Sequence, residues 1–299
     1  MAEIPADLTV RTSEPPKLRV LPRLRELWAD RQLLGNLVRK EVSVKYKSSV
    51  LGVAWSMLNP IMYLLIFSLV FAVVLKGGIP NYSVYLLSGL LAWNFFSTAL
   101  TMDARSVVEN ANLVTKVYFP REILPLASTG AAGVDFLLQA IVLAVFMAAY
   151  RHVHVGLNLL LLPISLVALA AFTMAVGLVV ASLNVRYRDT QHLLNLLLLV
   201  WFWSTPVVYA SGRVFVSHKS ILGVSVFHLF LANPLADVVF GFQRALYGDV
   251  GPASSPILPA VSVGWLAVLL GVVALVSLAL LWLAWRWFFR LSGDFAEDL

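Results

Sequence analysis

The chain contains no cysteine, which excludes disulfides, thiolate metal sites and cysteine nucleophiles. It is also poor in charge: only 13% of its residues are Asp, Glu, Lys or Arg, against 60% hydrophobic residues, and mean hydropathy is +0.84. A soluble chain of 299 residues could not cover that much apolar surface. Nucleotide and hydrolase signatures are missing too. There is no G-x-x-x-x-G-K-[ST] to cradle phosphates, no H-E-x-x-H and no G-x-S-x-G. ATP-driven work therefore requires an ATPase on another chain, and an intramembrane enzyme is disfavoured. No secretory signal pattern precedes the first apolar run, and no internal repeat of broken helices points to a secondary transporter.

What is present is a succession of apolar runs at 52–75, 82–100, 124–150, 156–183, 192–209 and 257–285. Roughly 20 apolar residues cross a hydrocarbon core of roughly 30 Å, so the expected fold is all-α and polytopic, with six transmembrane helices. Within these runs lie one carboxylate, Asp135, and no Lys or Arg. With six spans both termini share one side. Placing that side in the cytoplasm puts 17 of the 22 Lys and Arg residues inside, as the positive-inside rule requires. Ten of those lie in the N-terminal segment, so the orientation rests mainly on it. The net charge of +6 flanks apolar spans and forms no aromatic-interleaved groove, which favours anionic lipid headgroups over nucleic acid.

Residues 1–21, broken by Pro5, Pro15 and Pro16 and followed by Pro22, read as a flexible cytoplasmic tail. From there to residue 51, Leu24, Leu27, Trp28, Leu34, Leu37, Val38 and Val42 form an apolar stripe opposite most of the charges. This predicts an amphipathic helix on the cytoplasmic membrane face, serving as a lipid anchor or a docking surface. Residues 101–123 form the main cytoplasmic loop, with a short helical stripe that Pro120 ends. Arg186, Arg188 and Asp189 mark a short loop at 184–191. The outside segment 210–256 holds two candidate half-helices, 222–232 and 234–247, divided by the helix-start pair Asn233–Pro234. Neither can span, so a re-entrant hairpin is expected. Residues 286–299 are expected to form a cytoplasmic tail.

Asp135, with Gln139 one turn on, needs a partner or water. A helix-packing bond or a wet-cavity wall is favoured over a proton relay, which calls for several acids or histidines in series. The small residues from Ala127 to Gly133 predict close helix approach. Tyr63, Phe67 and Phe71 recur at i, i+4 and i+8, and Trp201, Phe202, Trp203 and Tyr209 follow on the fifth run, kinked at Pro206. These aromatics suit either a conduit lining or an interfacial belt, and the belt alone accounts for Trp282, Trp285 and Trp287.

An ordered set of short motifs resembles the permease subunits of ABC-2-type ABC transporters that export polysaccharides, O-antigens and teichoic acids. It comprises Lys45, Tyr46, Lys47 and Ser48 followed by Leu51, Gly52, Trp55 and Pro60; then Asn112, Leu113, Lys116, Phe119, Pro120 and Arg121. Arg188–Asp189, Pro206 with Tyr209, Asn233–Pro234 and the ending Gly293–Asp294–Phe295–Ala296–Glu297 complete it. The resemblance implies a homodimeric half-transporter in the bacterial cytoplasmic membrane, docked on two copies of a separate ATPase that carries ATP and Mg, with no cofactor or metal in this chain. It implies coupling to the ATPase through Arg39, Lys40, Glu41, Glu109, Asn112, Leu113, Lys116, Phe119, Pro120 and Arg121. It further implies a substrate conduit along Tyr63, Phe67, Phe71, Trp201, Trp203 and Tyr209. The expected cargo is a lipid-linked polysaccharide of O-antigen, teichoic acid or cell-wall galactan type. Export of a small hydrophobic compound, or ATP-independent glycolipid scrambling, is the alternative.

Overall fold

The computed structural model describes residues 20–47, 52, 54–74, 78–150, 156–215, 220–221, 224–252 and 256–299. Most of the expected N-terminal tail, motif residues Ser48 and Leu51, and the start of the first half-helix lie outside the described residues. The helices, in chain order, are α1 (Val20–Ala29), α2 (Arg31–Tyr46), α3 (Ala54–Phe67), α4 (Tyr82–Glu109), α5 (Ala111–Lys116), α6 (Ile123–Ala149), α7 (Leu161–Arg186), α8 (Thr190–Ser204), α9 (Ser211–Phe215), α10 (Val226–Leu231), α11 (Pro234–Leu246), α12 (Val263–Leu291) and α13 (Phe295–Asp298). A π-helical turn, Ser68–Val74, prolongs α3, and a two-residue antiparallel ribbon, Ser220–Ile221 with Val224–Ser225, precedes α10.

Four helical segments, Tyr82–Glu109, Ile123–Ala149, Leu157–Arg186 and Val263–Leu291, are long and apolar enough to cross a membrane. The other two apolar runs form shorter or interrupted helices: α3 contains Pro60, and α8 has 15 residues. Buried on most of its surface, α4 forms the centre of the bundle, with α6, α7 and α11 packed around it and α12 against α7.

The structure corrects several sequence expectations. The amphipathic segment is two helices with a break at Asp30. Val38 sits over Gly130 and Lys45 meets Asp135, contacts that advance the same way along both helices, so α2 runs along the first half of α6. A Cβ on Gly130 would come within 2.9 Å of Val38, which is the close approach expected of the small-residue stripe. The second apolar run does not end at residue 100. Helix α4 continues to Glu109, converting the first part of the expected loop into helix and carrying Asp103 into the interior. There Thr129 Oγ1 donates to Asp103 Oδ2 at 3.0 Å, and the absence of a side chain at Gly177 makes room for the carboxylate.

Pro206 does not kink the fifth run; it follows the end of its helix. Thr205 is extended, as the residue before a proline tends to be, and Thr205–Ala210 runs through the interior without helical bonding. Side chains take over the freed carbonyls: Tyr82 Oη donates to Val208 O, Tyr85 Oη to Tyr209 O and Gln243 Nε2 to Pro206 O. The expected helix start at Asn233–Pro234 is present. Asn233 Oδ1 accepts from Leu235 N of α11 and from Trp201 Nε1, while its Nδ2 donates to Thr205 Oγ1. One side chain thus caps α11 and ties it to the end of α8. The preceding helix α10 is only six residues long, and the last long helix begins at Val263, not 257.

Replacing Gly177 by Ala forces its new methyl against Asp103, an overpacking cost of about 1–3 kcal/mol. The Tm of the detergent-purified protein is expected to fall by several degrees. Gly271→Ala, with open space around it, should leave Tm unchanged or raised.

Candidate functional site

The end of the bundle where α2, α5, α13 and the last turns of α12 meet is one packed unit. Leu37 of α2, Val107 of α4, Val114 of α5, Phe119, Phe288 of α12 and Phe295 of α13 share a buried apolar cluster. Phe295 meets Phe288 edge-on at 5.3 Å, and Arg186 lies 3.5 Å from Asp298. The end of the chain, expected as a tail, is therefore folded back into the unit. α12 itself extends to Leu291.

Glu122 precedes α6 and is 2% exposed. Arg23 of α1 grips it through two hydrogen bonds, Nε to Oε1 at 3.0 Å and Nη2 to Oε2 at 2.7 Å, and Trp285 Nε1 donates to Oε1 at 3.2 Å. The Arg23 guanidinium also lies 5.1 Å from the centre of the Phe289 ring. Bidentate pairing of this kind fixes orientation as well as charge. Trp285 is therefore more than a belt residue: it joins α12 to the turn that precedes α6. Trp282 and Trp287 remain exposed, with Arg286 stacked on Trp282.

The residues expected to couple to an ATPase fall into two groups. Phe119 and Pro120 are buried, and Leu113 packs against the apolar cluster, so these anchor the loop. Asn112 and Lys116 face outward, as do Glu109 and Arg39. Glu109 faces Arg105 at 3.7 Å. Lys40 Nζ donates to Asn110 Oδ1 at 2.7 Å, fastening α2 to the α4–α5 break, and lies 3.9 Å from Glu41. Arg121 Nη1 donates to Gly293 O at 3.4 Å. Partial burial lowers the Arg121 pKa, with the neighbouring Glu122 charge opposing. Between the exposed and buried groups, Val117 is exposed and Tyr118 is 100% exposed. Periodicity predicts that Val117 or Tyr118 ends the helical stripe of this loop, but the backbone turns extended at Val117 and leaves Tyr118 as a bare knob.

Asp135 is not isolated. Lys45 Nζ donates to its Oδ2 at 2.5 Å and Tyr46 Oη to its Oδ1 at 2.6 Å. The expected polar neighbour Gln139 accepts from Asn94 Nδ2 at 2.8 Å. The aromatic residues diverge. Tyr63 stacks on Phe67, which continues to Phe71 and Phe202, and Tyr63 and Trp203 keep exposed faces. Trp201 turns into the protein between Phe96 and Phe172. Tyr209 Oη donates to Trp203 O at 3.1 Å.

The family described as ABC-2 type transporter matches residues 32–218. An O-antigen export system permease protein RfbA of Myxococcus xanthus is 32% identical over 277 residues, 92% of this chain and 98% of that protein. A Klebsiella pneumoniae protein of the same description is 30% identical over 219 residues, 73% of this chain and 81% of that protein.

Removing one partner of the buried Arg23–Glu122 pair leaves an uncompensated charge, a cost of about 3–5 kcal/mol. Arg23→Ala is expected to destabilise the purified protein more than the double substitution Arg23→Ala/Glu122→Gln does. Thermal unfolding of the two variants side by side checks the order.

Proposed function

Because the chain belongs to the ABC-2 type transporter family, we propose that it is the permease subunit of an ABC exporter of a lipid-linked polysaccharide. The O-antigen export description carried by relatives that match 71% to 92% of the chain supports this cargo class. The chain sits in the bacterial cytoplasmic membrane with both termini inside, and two copies form the pore above two ATPase subunits that hold ATP and Mg. The first and fifth apolar runs also cross the membrane, as interrupted helices, and α10 and α11 dip in from outside as a re-entrant pair.

The observation that carries the coupling role is the construction of the cytoplasmic unit. Lys40 ties α2 to Asn110, and Arg23 and Trp285 tie α1 and α12 to Glu122. A push on the Asn112–Tyr118 surface is thereby shared by α2, α4, α6 and α12. Tyr118 supplies the aromatic anchor that interface centres favour, flanked by Lys116. The exposed faces of Tyr63 and Trp203 are the parts of the aromatic series available to line a conduit.

Deleting the chain from its host is expected to abolish surface polysaccharide while lipid-linked glycan accumulates in the cytoplasm. Tyr118→Asp should cut recovery of the co-purifying ATPase at least tenfold with the permease itself still folded, and Tyr118→Phe should retain it. An unchanged surface glycan, with export of a diffusible hydrophobic compound instead, would assign the drug-exporter function.

A further inference from the structure

A groove whose mostly apolar wall carries a line of polar side chains runs up the bundle beside α2. Two cavities, of about 500 and 540 Å3, meet at Lys45 and Thr98. On α4 their wall is the series Asn94, Thr98, Thr101 and Arg105, one helical face rising about 16 Å over 11 residues. Opposite lie Asp135 and Gln139 of α6 and Trp55 of α3. Polar residues at this spacing within long apolar helices are costly unless they face water or a polar ligand.

The bonding capacity along the groove is only partly used. Asn94 Nδ2 and Gln139 Oε1 satisfy one another. Gln139 Nε2, Asn94 Oδ1 and Thr98 Oγ1 have no protein partner among the described residues, and none of the three is sealed from the cavity. That leaves a donor, an acceptor and a hydroxyl that does either. Trp55, 53% exposed, makes no ring contact among the described residues and presents a bare aromatic face. Charge argues against an anion: Lys45 and Arg105 are matched by Asp135, Glu109 and Glu41.

We propose that this groove is a binding site for sugar residues of the exported glycan, with Trp55 stacking on a sugar ring face and Asn94, Thr98 and Gln139 bonding its hydroxyls. Aromatic faces combined with a few convergent polar groups are the recognition chemistry of such ligands. The assignment rests on the export reading and adds to it where on the chain the cargo is held. It also gives the Lys45–Asp135 pair a place: the pair closes one wall of the groove and holds the end of α2 against it.

The cysteine-free sequence allows a direct test. Thr98→Cys is expressed with the partner ATPase, and membrane vesicles are treated with a charged, membrane-impermeant methanethiosulfonate applied from the cytoplasmic side. Vesicles come from cells that make the glycan and from cells blocked in its assembly. Labelling of Thr98→Cys is expected without glycan and at least fivefold slower with it. Leu137→Cys, on an apolar face that is 63% exposed, should stay unlabelled in both. Gln139→Cys gives a second position if Thr98→Cys does not assemble. Equal labelling with and without glycan overturns the sugar site, and absence of labelling in both overturns the wet groove. Failure of the export reading is seen separately, as surface polysaccharide that persists when the chain is deleted.

Discussion

Hydrocarbon offers no hydrogen bonds, so every polar group carried into the bundle must be answered by another part of the same protein or by an enclosed aqueous space. Four polar side chains of this chain act accordingly as staples between distant segments, whereas Asp237 and Asn184 are buried with no partner among the described residues. Asp103 joins α4 to α6 through Thr129, Asp135 joins α6 to the end of α2 through Lys45 and Tyr46, and Glu122 joins the start of α6 to α1 and α12. Asn233 does the same for α8 and α11. Apolar packing against lipid has little orienting power of its own, because lipid tails are as apolar as Leu. Register and contact are set by these staples and by small residues such as Gly130 and Gly177, which permit the closest approaches.

The same staples concentrate at one end of the bundle, where they merge α1, α2, α5, the Phe119–Pro120 corner and α13 into one body. Such a body transmits displacement because its parts cannot shift separately without exposing a carboxylate or an aromatic core. At the opposite side of the bundle the backbone is irregular, with Thr205–Ala210 unwound and held by Tyr82, Tyr85 and Gln243. Irregular backbone buried in protein is the form in which a membrane bundle tolerates a broken helix. A rigid body at one end, a groove with polar side chains rising beside α2 and a broken helix beyond it together suit passage of a hydroxyl-rich polymer.

Much of this was legible from residue order. Helical periodicity identified the amphipathic segment, the small-residue stripe announced close packing on α6, and Asn233–Pro234 marked a helix start that the structure contains. The ordered motifs led to the family. What sequence could not supply were partners far apart in the chain. Lys45 and Asp135 are 90 residues apart and Arg23 and Glu122 are 99 apart, so sequence spacing shows neither Asp135 with its partner nor any special role for Glu122. Trp285 passed for a belt residue because its indole nitrogen bonds a carboxylate 163 positions away. The length of α4 was underestimated because polarity was taken as the end of the helix, whereas Asp103 is polar and internal. The expected kink at Pro206 fails for a similar reason: whether a proline bends a helix or follows its end depends on what donates to the freed carbonyls, and here side chains of α4 and α11 do.

The central claim is that this chain, with an ATPase partner, moves a lipid-linked glycan across the membrane. The most direct measurement reconstitutes the purified complex into proteoliposomes bearing the host's lipid-linked glycan on the ATPase side. Appearance of the glycan on the far side is then followed with an impermeant oxidising reagent. The account predicts transfer that requires ATP and stops when hydrolysis is blocked. Transfer that proceeds equally without ATP, or ATP hydrolysis with no glycan movement, would contradict it.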